Sequence, residues 1–62
     1  MPAADHQRFA EMAYPALERA VRTLVHRSAL AHRLACEGRV RRERWQEIEG
    51  ELWAARAELS RR

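Results

Sequence analysis

The sequence has 62 residues, a net charge of +3, and twelve basic side chains that are all arginine. A chain of this length makes at most one domain, and so small a domain buries too little apolar surface to be comfortably stable alone. Its single cysteine, Cys36, cannot form an intramolecular disulfide, and the sequence has no pairs of Cys and His with the spacing of a zinc site. We therefore expect stability to come from self-association or from docking on a larger protein.

The composition indicates helix throughout. Alanine, leucine, arginine and glutamate, which are strong helix formers, dominate the chain, and β-branched residues are few. We therefore predict an all-α fold whose first helix covers about residues 5–13, with Asp5 as its N-cap. Pro15 lacks an amide hydrogen and restricts Tyr14, so it interrupts that helix and is expected in the first turn of the next one, over about 15–36.

The second predicted helix has a wide apolar surface. Its heptad seam alternates by four and three residues through Leu17, Val21, Leu24, Ser28, Ala31 and Ala35. Val25, Leu30 and Leu34 lie off that seam, so at about 100° per residue the apolar arc covers more than half of the circumference. A helix with so broad an arc needs at least two neighbours.

Gly38 is the helix breaker between the second helix and the helical pattern that follows it. A glycine just past a helix end, in the left-handed conformation, commonly stops a helix, which predicts a two-helix hairpin that turns at Gly38. A continuous rod is the alternative, because one row of heptad positions continues through Gly38. The rod leaves Ile48 and Ala55 off its seam. It also places charged residues where apolar ones belong, at Arg42, Glu49 and Arg56, so we favour the hairpin.

The third predicted helix, over about 40–60, is amphipathic. Its seam repeats by three and four through Trp45, Ile48, Leu52, Ala55 and Leu59. Gly50 lies inside it and costs about 1 kcal/mol of helix stability. Trp53 points about 120° from the centre of the seam. We expect it either to half-cover a helix edge or to mark a second contact surface.

No residue pattern indicates an enzyme. His32 and Cys36 are four residues apart and face the same side of a helix, where they make at most half of a metal site. A solvated histidine beside a small buried cysteine is the simpler interpretation. Glu-x-x-His pairs, Gly-rich phosphate loops and nucleophile elbows are all missing from the sequence. We therefore predict no catalytic site, no metal and no cofactor.

Four arginines follow Gly38 and are the strongest candidates for binding a partner: Arg39, Arg41, Arg42 and Arg44. They stand at the predicted start of the third helix, where no side chain supplies a cap and the helix macrodipole disfavours positive charge. Glutamates of a neighbouring subunit, acidic residues of a larger protein or phosphates of a nucleic acid would offset this charge. The alternative is a solvated turn with local Arg–Glu pairs. In an antiparallel pair of third helices, Arg61 and Arg62 would join the arginine cluster of the second copy.

Two resemblances bear on these arginines. The stretch Leu30-Ala31-His32-Arg33-Leu34-Ala35 followed by Val40 resembles a helix-turn-helix, whose first helix carries an Ala-x-x-Leu pattern before a tight turn. Ala35 stands where that motif has its turn glycine, and Val40 and Trp45 are each displaced by one from its apolar positions. In length and hairpin layout the chain also resembles the Rop-type plasmid regulators, whose hairpins pair into a four-helix bundle and bind RNA.

These patterns predict one domain over residues 1–62. It is an antiparallel two-helix hairpin with a short N-terminal helical segment, and it pairs, most simply about a two-fold axis, into an oligomeric four-helix bundle. The side chains expected to form the oligomer core are Leu17, Val21, Leu24, Trp45, Ile48, Leu52 and Leu59. Those expected to cover the flanks or dock a partner are Phe9, Met12, Tyr14, Leu30, Leu34 and Trp53.

The predicted function is that of a small non-enzymatic interaction protein, an oligomeric regulator or assembly subunit that acts through protein–protein contacts. Its partner is expected to be a second copy, as a homodimer or higher oligomer, or a larger protein. A nucleic-acid-binding regulator that uses the arginines at 39–44 is the alternative. No apolar run approaches the roughly 20 residues that cross a bilayer, and no signal-peptide pattern is present, so we expect no membrane contact. The lone thiol favours the reducing cytoplasm.

Overall fold

The fold consists of three helices joined by short turns. The computed structural model describes the backbone of residues 3–62 and the side chains of residues 7–62. Within this range the helices are α1 (Ala3–Ala10), α2 (Tyr14–Cys36) and α3 (Arg42–Arg61), and no strand occurs among the described residues. The two long helices α2 and α3 pack against each other as a hairpin, and α1 packs mainly on α3. The all-α hairpin prediction is therefore confirmed.

Gly38 makes the turn between α2 and α3. Its φ angle is +74°, in the left-handed region. The amide of Arg39 donates to the carbonyl of Leu34 at 2.9 Å, and the amide of Gly38 donates to the carbonyl of Ala35 at 3.1 Å. These two bonds form a Schellman motif, which satisfies carbonyls that the end of α2 would otherwise leave free. The chain turns where the glycine predicted it, and a continuous rod is excluded.

The ends of α1 differ from the predicted range of 5–13. The helix begins at Ala3, so Asp5 lies inside its first turn and is not its N-cap. It ends at Ala10 because Pro15 stands in the first turn of α2, where its ring would clash with the carbonyl of Glu11 if one helix continued. The N-cap position of α2 is Ala13, which is extended and provides no side-chain cap.

The start of α3 is two residues later than the predicted residue 40. Arg41, the N-cap position, is extended with φ −67° and ψ +143°, and it makes no side-chain cap bond. The Schellman motif already takes Gly38 and Arg39 out of helical geometry, so the chain uses Val40 and Arg41 to cross from one helix to the other. Glu43 places one negative charge in the first turn of α3, where the macrodipole favours it.

The core lies between α2 and α3 and extends under α1. Its buried residues are Phe9, Leu17, Leu24, Ala31, Ile48, Leu52, Ala54 and Ala55. Val21, Trp45 and Leu59, which were predicted in the core of an oligomer, are partly buried against this cluster within one chain. Phe9 was expected on a flank, but it is only 1% exposed. Burial of such a side chain contributes about 1.5–3 kcal/mol, so α1 belongs to the core.

Candidate interaction surfaces

Helix α1 covers only one side of the hairpin. Phe9 and Met12 line a cleft together with Ala20, Thr23 and Leu24 of α2. On the opposite side, α2 and α3 leave an open groove to which no described residue of α1 contributes. We call this the tryptophan groove, and its lining residues are Val25, Ser28, Ala29, His32, Trp45, Glu49, Leu52, Trp53 and Arg56.

The tryptophan groove has apolar walls that remain open to solvent. Val25 on α2 is 46% exposed and Trp53 on α3 is 60% exposed. The structure thus places Trp53 on the outward flank of α3, as its angle from the seam predicted. The guanidinium carbon of Arg56 lies 4.9 Å from the centre of the Trp53 ring, which is cation–π distance. The exposed indole therefore stands beside a positive charge.

His32 and Trp45 line the same groove with their rings side by side. Their ring centres are 4.8 Å apart, with the planes tilted by 55°. The indole Nε1 of Trp45 is buried and has no hydrogen-bond partner among the described atoms. Glu49 and Arg56 add opposite charges seven residues apart on α3, about two helical turns. The groove is thus apolar at its centre and carries both signs of charge along one wall.

A second groove lies on the α1 side of the hairpin, toward the Gly38 turn. We call it the basic groove, and its lining residues are Arg27, Leu30, Ala31, Leu34, Val40, Arg44 and Ile48. Arg27 also lines the cleft that α1 occupies, so the two surfaces are continuous. Leu30 is 55% exposed at its edge. Among the side chains that the structure describes, two arginines and no carboxylate line this groove.

The arginine cluster after Gly38 is only partly neutralised within the chain. Arg39 lies 3.8 Å from Glu37. Arg44 lies 3.3 Å from Glu47, and both side chains of that pair are more than half exposed. Across the side chains at 7–62, Arg41 and Arg42 have no carboxylate within 4 Å. Local Arg–Glu pairs of this exposed kind contribute little to stability, so the cluster remains a basic surface at the hairpin turn.

His32 and Cys36, the candidate metal ligands, lie close together, but no third ligand joins them among the described residues. The sulfur of Cys36 lies 3.8 Å from Nε2 of His32. Neither residue is buried, so Cys36 does not have the buried position expected for it. In the part of the chain that the structure describes, no three His, Cys, Asp or Glu residues converge as a metal site. The described geometry therefore provides two ligands at most.

Arg62 has a role that the sequence did not indicate. Within its own chain, its guanidinium donates to the carbonyls of Met12, Ala10 and Phe9 at 2.6, 3.0 and 3.3 Å. These carbonyls lie at the end of α1, where a cation interacts favourably with the macrodipole. Arg62 therefore caps α1 from the end of α3, a contact across about 50 residues that no local pattern signals.

Glu58 connects the two C-terminal arginines. Its carboxylate is buried and accepts hydrogen bonds from Arg61 and Arg62. These bonds, first the one from Arg61 and then the one from Arg62, lower the pKa of the Glu58 carboxyl below its ordinary value of 4.5. Glu58 lies off the apolar seam of α3 and is nonetheless buried, with both C-terminal arginines paired to its carboxylate.

No described helix is both long enough and apolar enough to span a bilayer. Comparisons with known protein families, with curated proteins and with solved structures find no match for this chain.

Proposed function

We propose that this chain is a non-enzymatic helical interaction protein whose hairpins self-associate through the tryptophan groove. Two copies form an antiparallel four-helix bundle about a two-fold axis and act as an oligomeric regulator or assembly subunit in the cytoplasm. The observation that carries this proposal is the exposure of Val25 and Trp53 on the two walls of a groove that α1 does not cover. Exposed aromatic residues of this kind are enriched at protein interfaces.

The charges of the tryptophan groove favour a second copy as the occupant. Glu49 and Arg56 flank Leu52 and Trp53 on the same wall of the groove. When two α3 helices pack antiparallel with Trp53 near the two-fold axis, Glu49 of each copy faces Arg56 of the other. Such a surface is its own complement, as a two-fold interface requires. Opposite charges across an interface fix its register and suppress wrong pairings.

The size of the molecule fits the same proposal. Its Cα extents are 37 × 21 × 13 Å, so the broad face of this slab is comparable in area to the roughly 800 Å² per partner of a standard interface. Within one chain the wide apolar arc of α2 has α3 as its main neighbour, and Val25 stays outside that contact. A second hairpin supplies the further neighbour that this arc needs.

The experiment is a mass measurement with two matched variants. Sedimentation of the wild-type chain should give at least twice the chain mass. Trp53→Glu places a charge at the centre of the proposed interface and should give a folded monomer. Leu30→Glu is the control, because Leu30 is also more than half exposed but lies on the opposite side of the hairpin. A wild-type chain that is folded and monomeric overturns the proposal, and so does a Trp53→Glu variant that keeps the wild-type mass.

A second candidate function is nucleic-acid binding by the cluster Arg39, Arg41, Arg42 and Arg44. The observation that favours it is that Arg41 and Arg42 have no carboxylate within 4 Å in the described range of side chains. Binding through phosphates would weaken steeply between about 50 and 200 mM salt. Titration of a labelled RNA hairpin and a labelled DNA duplex at both salt concentrations tests this, with Arg41→Ala and Arg42→Ala as the variants. If both variants bind as tightly as the wild-type chain, Arg41 and Arg42 do not contact the nucleic acid.

A further inference from the structure

The basic groove differs from the tryptophan groove in charge. Ala31 and Ile48 are buried at its floor, and the half-buried Val40 and the exposed Leu30 form apolar walls. Among the described lining residues, Arg27 and Arg44 are the only charged ones, and both are positive. The tryptophan groove carries one charge of each sign. A groove with a single sign of charge is not its own complement, since a two-fold pairing of two basic grooves would bring like charges together.

We propose that the basic groove binds an acidic amphipathic helix of a different protein. An apolar side chain of that helix enters between Leu30 and Val40, over Ala31 and Ile48, and carboxylates on either side of it pair with Arg27 and Arg44. This goes beyond self-association and uses the opposite side of the hairpin. It makes the chain an adaptor with one surface for its own copy and another for a foreign partner.

Helix α1 provides the precedent within this chain for a helix seated on this side. It places Phe9 into the core beside α2 and α3, and its neighbour Arg8 pairs with Glu51 on α3 at 3.1 Å. The basic groove continues the same cleft toward the turn, since Arg27 lines both. A partner helix would therefore lie next to α1 on the same side of the hairpin and combine, as α1 does, an apolar anchor with ion pairing. This is helix-in-groove recognition.

The charges available at the basic groove define the chemistry of the partner. In the side chains from residue 7 onward, Arg27 has no carboxylate within 4 Å. Arg44 has an exposed pair with Glu47 at 3.3 Å, and exposed pairs of this kind cost little to exchange. An arginine fork binds carboxylates in bidentate geometry. A nucleic acid would offer anions to both arginines but no aliphatic side chain for the walls that Leu30 and Val40 form.

The test uses two synthetic helical peptides with leucines at the same i, i+4 and i+7 positions. One peptide carries glutamates beside the leucines and the other carries lysines. Fluorescence anisotropy of each labelled peptide is measured with the full chain. We expect the glutamate peptide to bind at least about tenfold more tightly, equivalent to about 1.4 kcal/mol. Equal binding of the two peptides, or no saturable binding of the glutamate peptide, overturns the proposal.

Variants locate the binding site. Leu30→Glu and Arg27→Glu should each weaken binding of the glutamate peptide by about tenfold or more. Arg22→Glu, at an exposed arginine of α2 that does not line the groove, should keep wild-type affinity, and circular dichroism checks that all three are folded. If the two groove variants bind as tightly as Arg22→Glu, the basic groove is not the site. The folded Trp53→Glu variant should still bind the peptide, which separates this proposal from the one on self-association.

Discussion

The guanidinium of Arg62 donates a hydrogen bond of 2.6 Å to the backbone carbonyl of Met12. This contact joins the end of α3 to the turn that follows α1. Helix α1 has only eight residues, too few to be stable as an isolated helix in water. Its position therefore depends on tertiary contacts, which include the buried Phe9, the Arg8–Glu51 ion pair and the Arg62 cap.

Arg62→Met should loosen α1 and lower the stability of the whole chain. The variant keeps a long apolar stem but loses the hydrogen bonds to three carbonyls, so we expect a loss of about 1–2 kcal/mol. Amide exchange in α1 should accelerate more than exchange in α2. Arg61→Met is the matched control, since Arg61 is exposed and its described hydrogen bond goes to Glu58 alone. Equal effects of the two variants would argue against the cap.

Glu58 should make the free energy of unfolding dependent on pH in the acid range. Its pKa is lowered in the folded chain by the hydrogen bonds from Arg61 and Arg62. The stabilisation is therefore fully present above the ordinary value of 4.5 and is lost as pH falls through the lowered folded-state pKa. Urea unfolding at fixed protein concentration, from neutral pH down into this range, measures that loss.

Glu58→Gln removes the titrating carboxyl. The variant should therefore have a lower free energy of unfolding than wild type at neutral pH, and that free energy should fall less on acidification. Glu18→Gln is the control, because Glu18 has no arginine within 4 Å in the described part of the chain and lies outside the first turn of α2. It should keep the wild-type dependence on pH. A Glu58→Gln variant with the full acid sensitivity of wild type would contradict this assignment.

The two glycines should respond to alanine in opposite directions. Gly38 has φ +74°, and an added Cβ would meet no atom within 4 Å, so the cost of Gly38→Ala is conformational alone. We expect it to destabilise the chain by about 1–2 kcal/mol. Gly50 lies inside α3 with equally open space around it, so Gly50→Ala should stabilise by about 0.5–1 kcal/mol. Thermal unfolding of both variants at one protein concentration tests the pair.

Features that depend on residues close together in the sequence were predictable. Gly38 signals its turn through its own backbone preference, and the outward direction of Trp53 follows from its angle on a single helix. Phe9 was misjudged because its burial depends on α1 packing against α3, a helix that is distant in the sequence. Periodicity within one helix identifies the residues that share a face, but not the helix that covers it.

Periodicity within one helix was likewise insufficient to predict the two candidate surfaces. Val25 and Leu30 were recognised as apolar residues off the seam, yet the sequence did not reveal that they stand on opposite sides of the hairpin with different charges around them. From the sequence, Glu49 and Arg56 were recognised only as charged residues that interrupt the heptad row of a continuous helix. Only the packing of α2 on α3 places them along the wall of the tryptophan groove.

A charge exchange between Glu49 and Arg56 should test the register of the proposed dimer. Glu49→Arg alone brings like charges together across the two-fold axis, and so does Arg56→Glu alone, so each should weaken dimerisation by about tenfold or more. The double variant restores opposite charges at both contacts and should recover most of the lost affinity. Arg56→Glu also removes the cation from the Trp53 ring, so recovery by the double variant should fall short of wild type. Sedimentation of the four proteins across a concentration series measures the dissociation constant of each dimer. If the losses of affinity in the two single variants add up in the double variant, Glu49 and Arg56 do not face each other.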